Sequence, residues 1–423
     1  MEDTGFRDLW RAFGRIGCLS FGGPAAQIAL MEEELVARRG WLSQDAFLRA
    51  LSFCMLLPGP EAMQLATYAG WRLKGVWGGI LAGTLFVLPG ALVIFLLAAF
   101  YIRFGAQPVV QEIFLGIQAT VIVIVLVALR KLIGKLNGRA GPIIAVLAFL
   151  AIFVVSVPFP IIILTAGLFG WFSSSGAPGK TTTTGPRPGL LASLAALWGL
   201  PIALFWALGA GFLLTLSLFF SQLAVVTFGG AYAVLGYMTQ TVVQDLGWIS
   251  ADAMIDALGL AETTPGPLIL VTQFVGILAG HAVGGWPLAV VAGLVTLWVT
   301  FLPCFLWIFA GAPYIERLTS HPRIAAALGA VTAAVVGVIL NLSLFFAFHV
   351  FFGEVARFDL HLGLPGIEGT LRAGMTLPDL GTFQPLGVVL MLIAGALMVG
   401  LGRGVLTTLA VMIPISVLLT ALV

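Results

Sequence analysis

Apolar stretches of helical length alternate with short polar or Gly/Pro-rich breaks along the chain. A membrane-spanning helix needs about 20 predominantly apolar residues. Stretches 76–102, 109–130, 191–213, 285–311 and 324–351 meet that requirement and are predicted to be helices. Shorter apolar pieces pair near 141–156 with 159–172 and near 386–401 with 404–422. Pro158, Pro160 and Arg403 mark the turns between them, so each pair predicts a tight helical hairpin. Segments 10–36 and 43–73 are broken midway by Gly and Pro, leaving arms of about 12–15 residues, too short to cross alone. Each pair of arms forms either one discontinuous spanning helix or a re-entrant hairpin. The polar run from Ser173 to Pro188 lacks apolar periodicity and predicts a flexible linker.

The breaks themselves repeat. Phe21-Gly22-Gly23, Trp41 with Asp45-Ala46, and Pro58-Gly59-Pro60 recur as Phe228-Gly229-Gly230, Trp248 with Asp252-Ala253, and Pro265-Gly266-Pro267, all at an offset of 207 residues. A duplicated membrane unit follows, with 1–172 as first repeat, 173–189 as linker, 190–213 as a connecting helix and 214–423 as second repeat. That one added crossing turns the second repeat over. The expected fold is an all-α polytopic membrane protein of about 13 transmembrane or re-entrant segments, arranged as inverted repeats (6+1+6) with Gly/Pro-broken helices. With a cytoplasmic N-terminus, Arg7, Arg11, Arg15, Arg72, Lys74, Arg130, Lys131, Lys135 and Arg139 share one side with linker residues Lys180 and Arg187, a positive-inside pattern. The C-terminus then lies on the opposite side. Arg38 and Arg39 give way to Asp245 and Leu246 in the second copy, a loss of positive charge that favours re-entrant hairpins.

Composition narrows the class. The 423 residues are 60% hydrophobic and only 9% charged, with mean hydropathy +1.10, which excludes an ordinary soluble domain, where about 25% are charged. The opening Met1 to Arg11 lacks a basic region followed by an apolar core, so no cleaved signal peptide is expected and the first apolar segments direct the chain to the cytoplasmic (inner) membrane. A net charge of +2, spread along the chain, offers no nucleic-acid surface. Cys18, Cys54 and Cys304 stand singly, and His281, His321, His349 and His361 are scattered, so neither a metal nor another cofactor is expected. Gly179-Lys180-Thr181 has Ser174 where a phosphate-binding loop needs Gly. No catalytic Ser/His/Asp constellation suggests an enzyme.

The breaks carry the candidate chemistry. A Gly/Pro tip that starts a new helix leaves N–H groups without intrahelical acceptors, and the helix dipole there favours an anion. Ser20-Phe21-Gly22-Gly23-Pro24, Pro58-Gly59-Pro60, Thr227-Phe228-Gly229-Gly230 and Thr263-Thr264-Pro265-Gly266-Pro267 are therefore candidate oxyanion sockets, with Gln27, Gln64 and Gln273 beside them. Alternatively, these Gly and Pro residues only kink helices or permit close packing. Glu61 and Glu262 flank the two Pro-Gly-Pro tips and are the candidate proton-coupling carboxylates, although Glu61 also suits a helix first turn. Arg15 can reach the first tip or anchor at the membrane surface. Asp45 and Arg49 are spaced as a local ion pair, whereas Asp256 replaces that arginine in the second copy.

The run from Phe21 to Met31, with Trp41, Leu56 to Tyr68 and Phe86 to Pro89, resembles the chromate ion transporter family; Thr227 to Gly230, Gly247 to Ile249, Thr264 to Gly276 and Phe301 to Pro303 resemble the C-terminal domain of its long, two-domain members. The likeness covers nearly the whole chain except the linker and a polar loop at 353–384. It implies chromate transport across a lipid bilayer, sulfate as a similar competitor, chromate resistance and two antiparallel domains. Many members have His at the position of Gln27, and Asn or Thr at that of Glu61. The resulting expectation is proton-coupled chromate efflux, against which stand a sulfate or other oxyanion carrier, an anion channel, and a membrane enzyme or assembly protein. Association as a homodimer is left open.

Overall fold

Helices form where the apolar stretches predict them and stop or bend at glycine and proline. The computed structural model describes residues 5–136, 138–175, 188–228, 230–315, 318, 321–363 and 370–422. In chain order the α-helices are α1 (Phe6–Leu19), α2 (Gly23–Glu32), α3 (Gln44–Cys54), α4 (Glu61–Phe104), α5 (Pro108–Ile133), α6 (Ala140–Phe153), α7 (Phe159–Ser173) and α8 (Pro188–Ala207). They continue with α9 (Gly211–Val226), α10 (Ala231–Thr239), α11 (Ala251–Thr263), α12 (Val271–Gly311), α13 (Pro322–Phe351), α14 (Pro385–Gly395) and α15 (Val405–Thr420). Five helical stretches among the described residues are long and apolar enough to cross a membrane. The fold is that of a nearly all-α membrane protein.

Two compact units emerge, and each takes segments from both halves of the sequence. One comprises Met1–Arg103, Gly176–Ala231 and Leu260–Ile324; the other comprises Phe104–Ser175, Tyr232–Gly259 and Ala325–Val423. In the first, α4 and α12 each contain a sharp reversal. Gly75 (φ 63°) follows an irregular Lys74, and Gly285 (φ 66°) follows an irregular Gly284. These positive φ values are cheap only for glycine. A Cβ at Gly70 would overlap the Gly78 carbonyl and come within 2.6 Å of Ala82 Cβ, although residues eight apart in a straight helix lie about 12 Å apart. Residues 61–73 thus fold back antiparallel on the helix from 76, and 271–283 fold back on the helix from 286. In the second copy, Gly280 meets Leu288 and Ala292 in the same way.

The second unit packs α14 and α15 on α5 through Ala119, Val123, Leu390, Ala394 and Met412. Its helices approach closely where side chains are small, as at Gly337, whose hypothetical Cβ would lie 2.7 Å from Phe149 N on α6.

Two expectations change. The helix expected over 191–213 ends at Ala207, because Gly209 turns left-handed (φ 65°) and Ala210 N donates to Phe205 O; α9 begins at Gly211. The loop at 353–384 contains an antiparallel hairpin of β1 (Val355–Gly363) and β2 (Thr370–Pro378), so the fold is not purely helical. The signal is present in the chain, since residues 356–362 alternate apolar and polar as Ala-Arg-Phe-Asp-Leu-His-Leu, the period of a strand, and the sequence reading passed over it as a polar loop. Most of the linker, including Lys180 and Arg187, lies outside the described residues.

Candidate functional site

All the broken tips lie in the first unit, where their backbones recur at the sequence offset. Gly23 (φ 78°) and Gly230 (φ 98°) adopt positive φ, as do Gly59 (φ 119°) and Gly266 (φ 90°). Just beyond them, π-helical turns occupy Glu33–Arg38 and Gln240–Asp245, again 207 residues apart. Gly229 lies outside the described residues.

The tips join in two crossed pairs. Gly266 N donates to Ser20 O at 2.9 Å, and Gly59 N donates to Thr227 O at 2.8 Å. Each bond joins a Pro-Gly-Pro glycine from one half to the residue before Phe-Gly-Gly in the other. Since Ser20 matches Thr227 and Gly59 matches Gly266, the two bonds are equivalent under the repeat. Gln27, 2% exposed, reinforces the first pair by donating from Nε2 to Gly266 O at 2.7 Å and to Ser20 O at 3.4 Å. Buried Gln64 donates from Nε2 to Pro58 O at 2.7 Å, and Gln273 donates from Nε2 to Ala91 O at 3.2 Å.

The hydroxyls at the tips make local bonds. Ser20 and Thr227 donate to the carbonyls of Ile16 and Leu223, and Thr263 and Thr264 donate to those of Leu260 and Ala261. Each proton is therefore spent on its own helix. Such back-bonding shapes a helix end. The donors that remain suited to an anion are the first-turn N–H groups of α2 and α4, which have no intrahelical acceptor. Pro24 and Pro60 sit within or just before these turns, where a missing N–H costs nothing.

The pairs differ in exposure. Gly22, Ala25 and Ala26 are exposed, and Phe21, Gly23 and Pro24 are half-buried; Pro265, Gly266 and Pro267 are buried. Pro58, Pro60 and Phe228 are half-buried around a buried Gly59. Glu61 opens α4 and is half-buried, whereas Glu262 is 4% exposed near the end of α11.

Two residues that the sequence reading passed over also hold the tips. Gly90 of α4 lies against Pro265, where its hypothetical Cβ would overlap the carbonyl oxygen. Cys304, noted in the sequence only as a cysteine standing singly, packs its Sγ where a Cβ at Gly59 would come within 2.9 Å. Neither carries a motif visible in the chain, since each matters only through a distant neighbour. Away from the tips, burial pushes the Glu34 carboxyl up, but bonds from Arg39 (2.8 Å) and Arg38 (3.2 Å) outweigh it and hold the carboxyl below its usual range.

A family model described as "Chromate transporter" matches residues 7–171 and 214–398, two stretches that begin 207 residues apart. The chain is 33% identical over 336 residues to the "Chromate transport protein" of Cupriavidus metallidurans, covering 79% of this chain and 80% of that protein. It is 30% identical over 399 residues to the "Probable chromate transport protein" of Synechococcus elongatus, covering 92% and 95% respectively. The "Uncharacterized transporter YwrA" of Bacillus subtilis is 37% identical over 119 residues, 28% of this chain and 67% of the relative. No solved structure matches the chain.

Proposed function

Because the chain is a multi-pass membrane protein that belongs to the chromate transporter family, we propose that it is a secondary transporter exporting chromate through the paired tips, coupled to the proton gradient. The observation that carries this reading is the crossed pairing of Gly266 N with Ser20 O and Gly59 N with Thr227 O. It gathers broken-helix backbone from both halves, the arrangement used to hold ions at membrane depth without lipid-exposed polar groups. The protein sits in the cytoplasmic (inner) membrane with a cytoplasmic N-terminus, and its two halves, 1–172 and 214–423, are inverted copies. Alternating access follows from opening one crossed pair while the other stays closed.

In this scheme backbone N–H groups at the starts of α2 and α4 hold the oxyanion, with Gln27, Gln64 and Gln273 fixing the carbonyls around them. Glu61 and Glu262 lie beside the Pro-Gly-Pro tips. An ionised carboxylate repels a neighbouring dianion, so anion entry favours proton uptake and proton loss favours anion release. Sulfate, with the same tetrahedral shape and charge, competes for the site.

Flux of labelled chromate and sulfate into proteoliposomes, with and without an imposed proton gradient, tests the reading. Gradient-driven chromate movement inhibited by sulfate is expected. Sulfate movement alone would reassign the substrate, movement indifferent to the gradient would remove proton coupling, and absence of flux would overturn transport by this chain.

A further inference from the structure

A second polar site lies wholly within the other unit. A cavity of 40 Å³ there is lined by Ser156, Thr239, Gln240, Asn341, Gly374 and Thr376, with aromatic rings around them. One water needs roughly 10–15 Å³ of such space, so the cavity is large enough for an ion with part of its hydration shell. The six residues named carry no formal charge, and they offer oxygen in every case.

Two of these oxygens stand out. Thr239 is 3% exposed and its Oγ1 has no hydrogen-bond partner, nor has the buried Oε1 of Gln240. Other buried hydroxyls of the same unit return their protons to their own helix, as Thr120 does to Gly116 O and Ser343 to Ile339 O. Leaving a buried polar group unmatched costs about 1–3 kcal/mol. Thr239 and Gln240 also straddle the change from α-helix to π-helical turn, a local irregularity frequent at functional sites.

The field selects the sign of the ligand. Helix α6 brings its C-terminal end to this cavity through Ile152 and Phe153, and α10 passes into its π-helical turn there through Thr239 and Gln240. Carbonyl groups and the negative end of the helix dipole favour a cation there. Ser156 holds a positive φ of 55° and donates to Gly374 O, while Gly374 N donates to Val154 O, so β2 closes over the end of α6. In the first half, the corresponding π-helical turn carries Glu33 and Glu34 where this one has Gln240 and Thr241, and Glu34 is engaged by Arg38 and Arg39. The turn of the second copy lines the oxygen-rich cavity.

We propose that this cavity binds a small monovalent cation of the sodium class, held by neutral oxygens at the end of α6 and at the α-to-π junction after α10. Hard cations take carbonyl, hydroxyl and water oxygen as ligands. The assignment does not depend on which anion the tips carry. Thermal unfolding of the detergent-solubilised full chain, titrated with sodium chloride at ionic strength held constant by choline chloride, tests it alongside ²³Na relaxation on the same sample. The midpoint should rise saturably with sodium, and Thr239→Val should raise the apparent Kd at least tenfold; Gln240→Met provides the same comparison if Thr239→Val fails to fold. Equal midpoints in sodium and choline with no excess ²³Na relaxation, or an unchanged sodium response in a folded variant, would overturn the site and leave a cavity that holds water alone.

Discussion

Substituting Gly90 tests whether the tips are working parts. Gly90 lies in the interior of α4, where Ala would ordinarily improve an exposed helix by about 1 kcal/mol. Here a Cβ would overlap the Pro265 carbonyl oxygen, reach 3.1 Å from its carbon and come within 2.6 Å of Leu270 Cδ1. Carbon atoms in ordinary contact stay about 3.5–4.0 Å apart, so the tip or the helix must shift by roughly 1 Å. The oxygen and carbon of Pro265 are backbone and cannot rotate aside. Overpacking of this kind costs about 1–3 kcal/mol. The same shift strains the Gly266 N to Ser20 O bond, worth about 0.5–1.5 kcal/mol. Gly90→Ala is therefore expected to lower chromate flux by at least tenfold in proteoliposomes, with a lower unfolding midpoint. Gly199→Ala, in α8 with open space at its Cβ position, is the matched control and should leave both unchanged or raise stability. Wild-type flux in Gly90→Ala, at equal protein incorporation, would refute the claim that the position of this tip governs transport.

Gln27→Leu removes the donor to Gly266 O and should slow chromate flux several-fold while destabilising the protein by about 1–3 kcal/mol, measured by flux and thermal unfolding. Glu262→Gln should flatten the pH dependence of chromate flux, and an unaltered profile would remove this residue from proton coupling. The Glu34 carboxyl is held low by Arg39 and Arg38, so its stabilising contribution is complete above the unfolded value of about 4.3 and disappears as pH falls through the lower folded value. Accordingly, Glu34→Gln should unfold at a lower temperature than wild type near pH 7, the two converging once the pH has fallen below the lowered folded value. Single cysteines at Arg39 and Gln244, after exposed Cys18 and buried Cys54 and Cys304 are replaced, should label from opposite membrane faces; labelling from one face would refute inversion.

The chain alone determines the membrane class, the apolar helices and the positions of the breaks, because these depend on local composition and on backbone preferences of Gly and Pro. The positive φ values at Gly59 and Gly266 are of this local kind. Offset motifs likewise reveal that the tips are equivalent. Which tip meets which is decided only in three dimensions, where Gly59 N finds Thr227 O and Gly266 N finds Ser20 O from the opposite half of the sequence. Hydroxyl direction is tertiary knowledge as well: composition supplies Ser20 and Thr227, but their helices take the protons. The fold-back at Gly75 and Gly285 depends on partners such as Ala82 and Ala292 being small enough to admit the opposing helix. The oxygen-lined cavity depends on residues from α6, α10, α13 and β2 that no local pattern brings together, since burial and hydrogen-bond satisfaction are properties of the packed chain rather than of its sequence spacing.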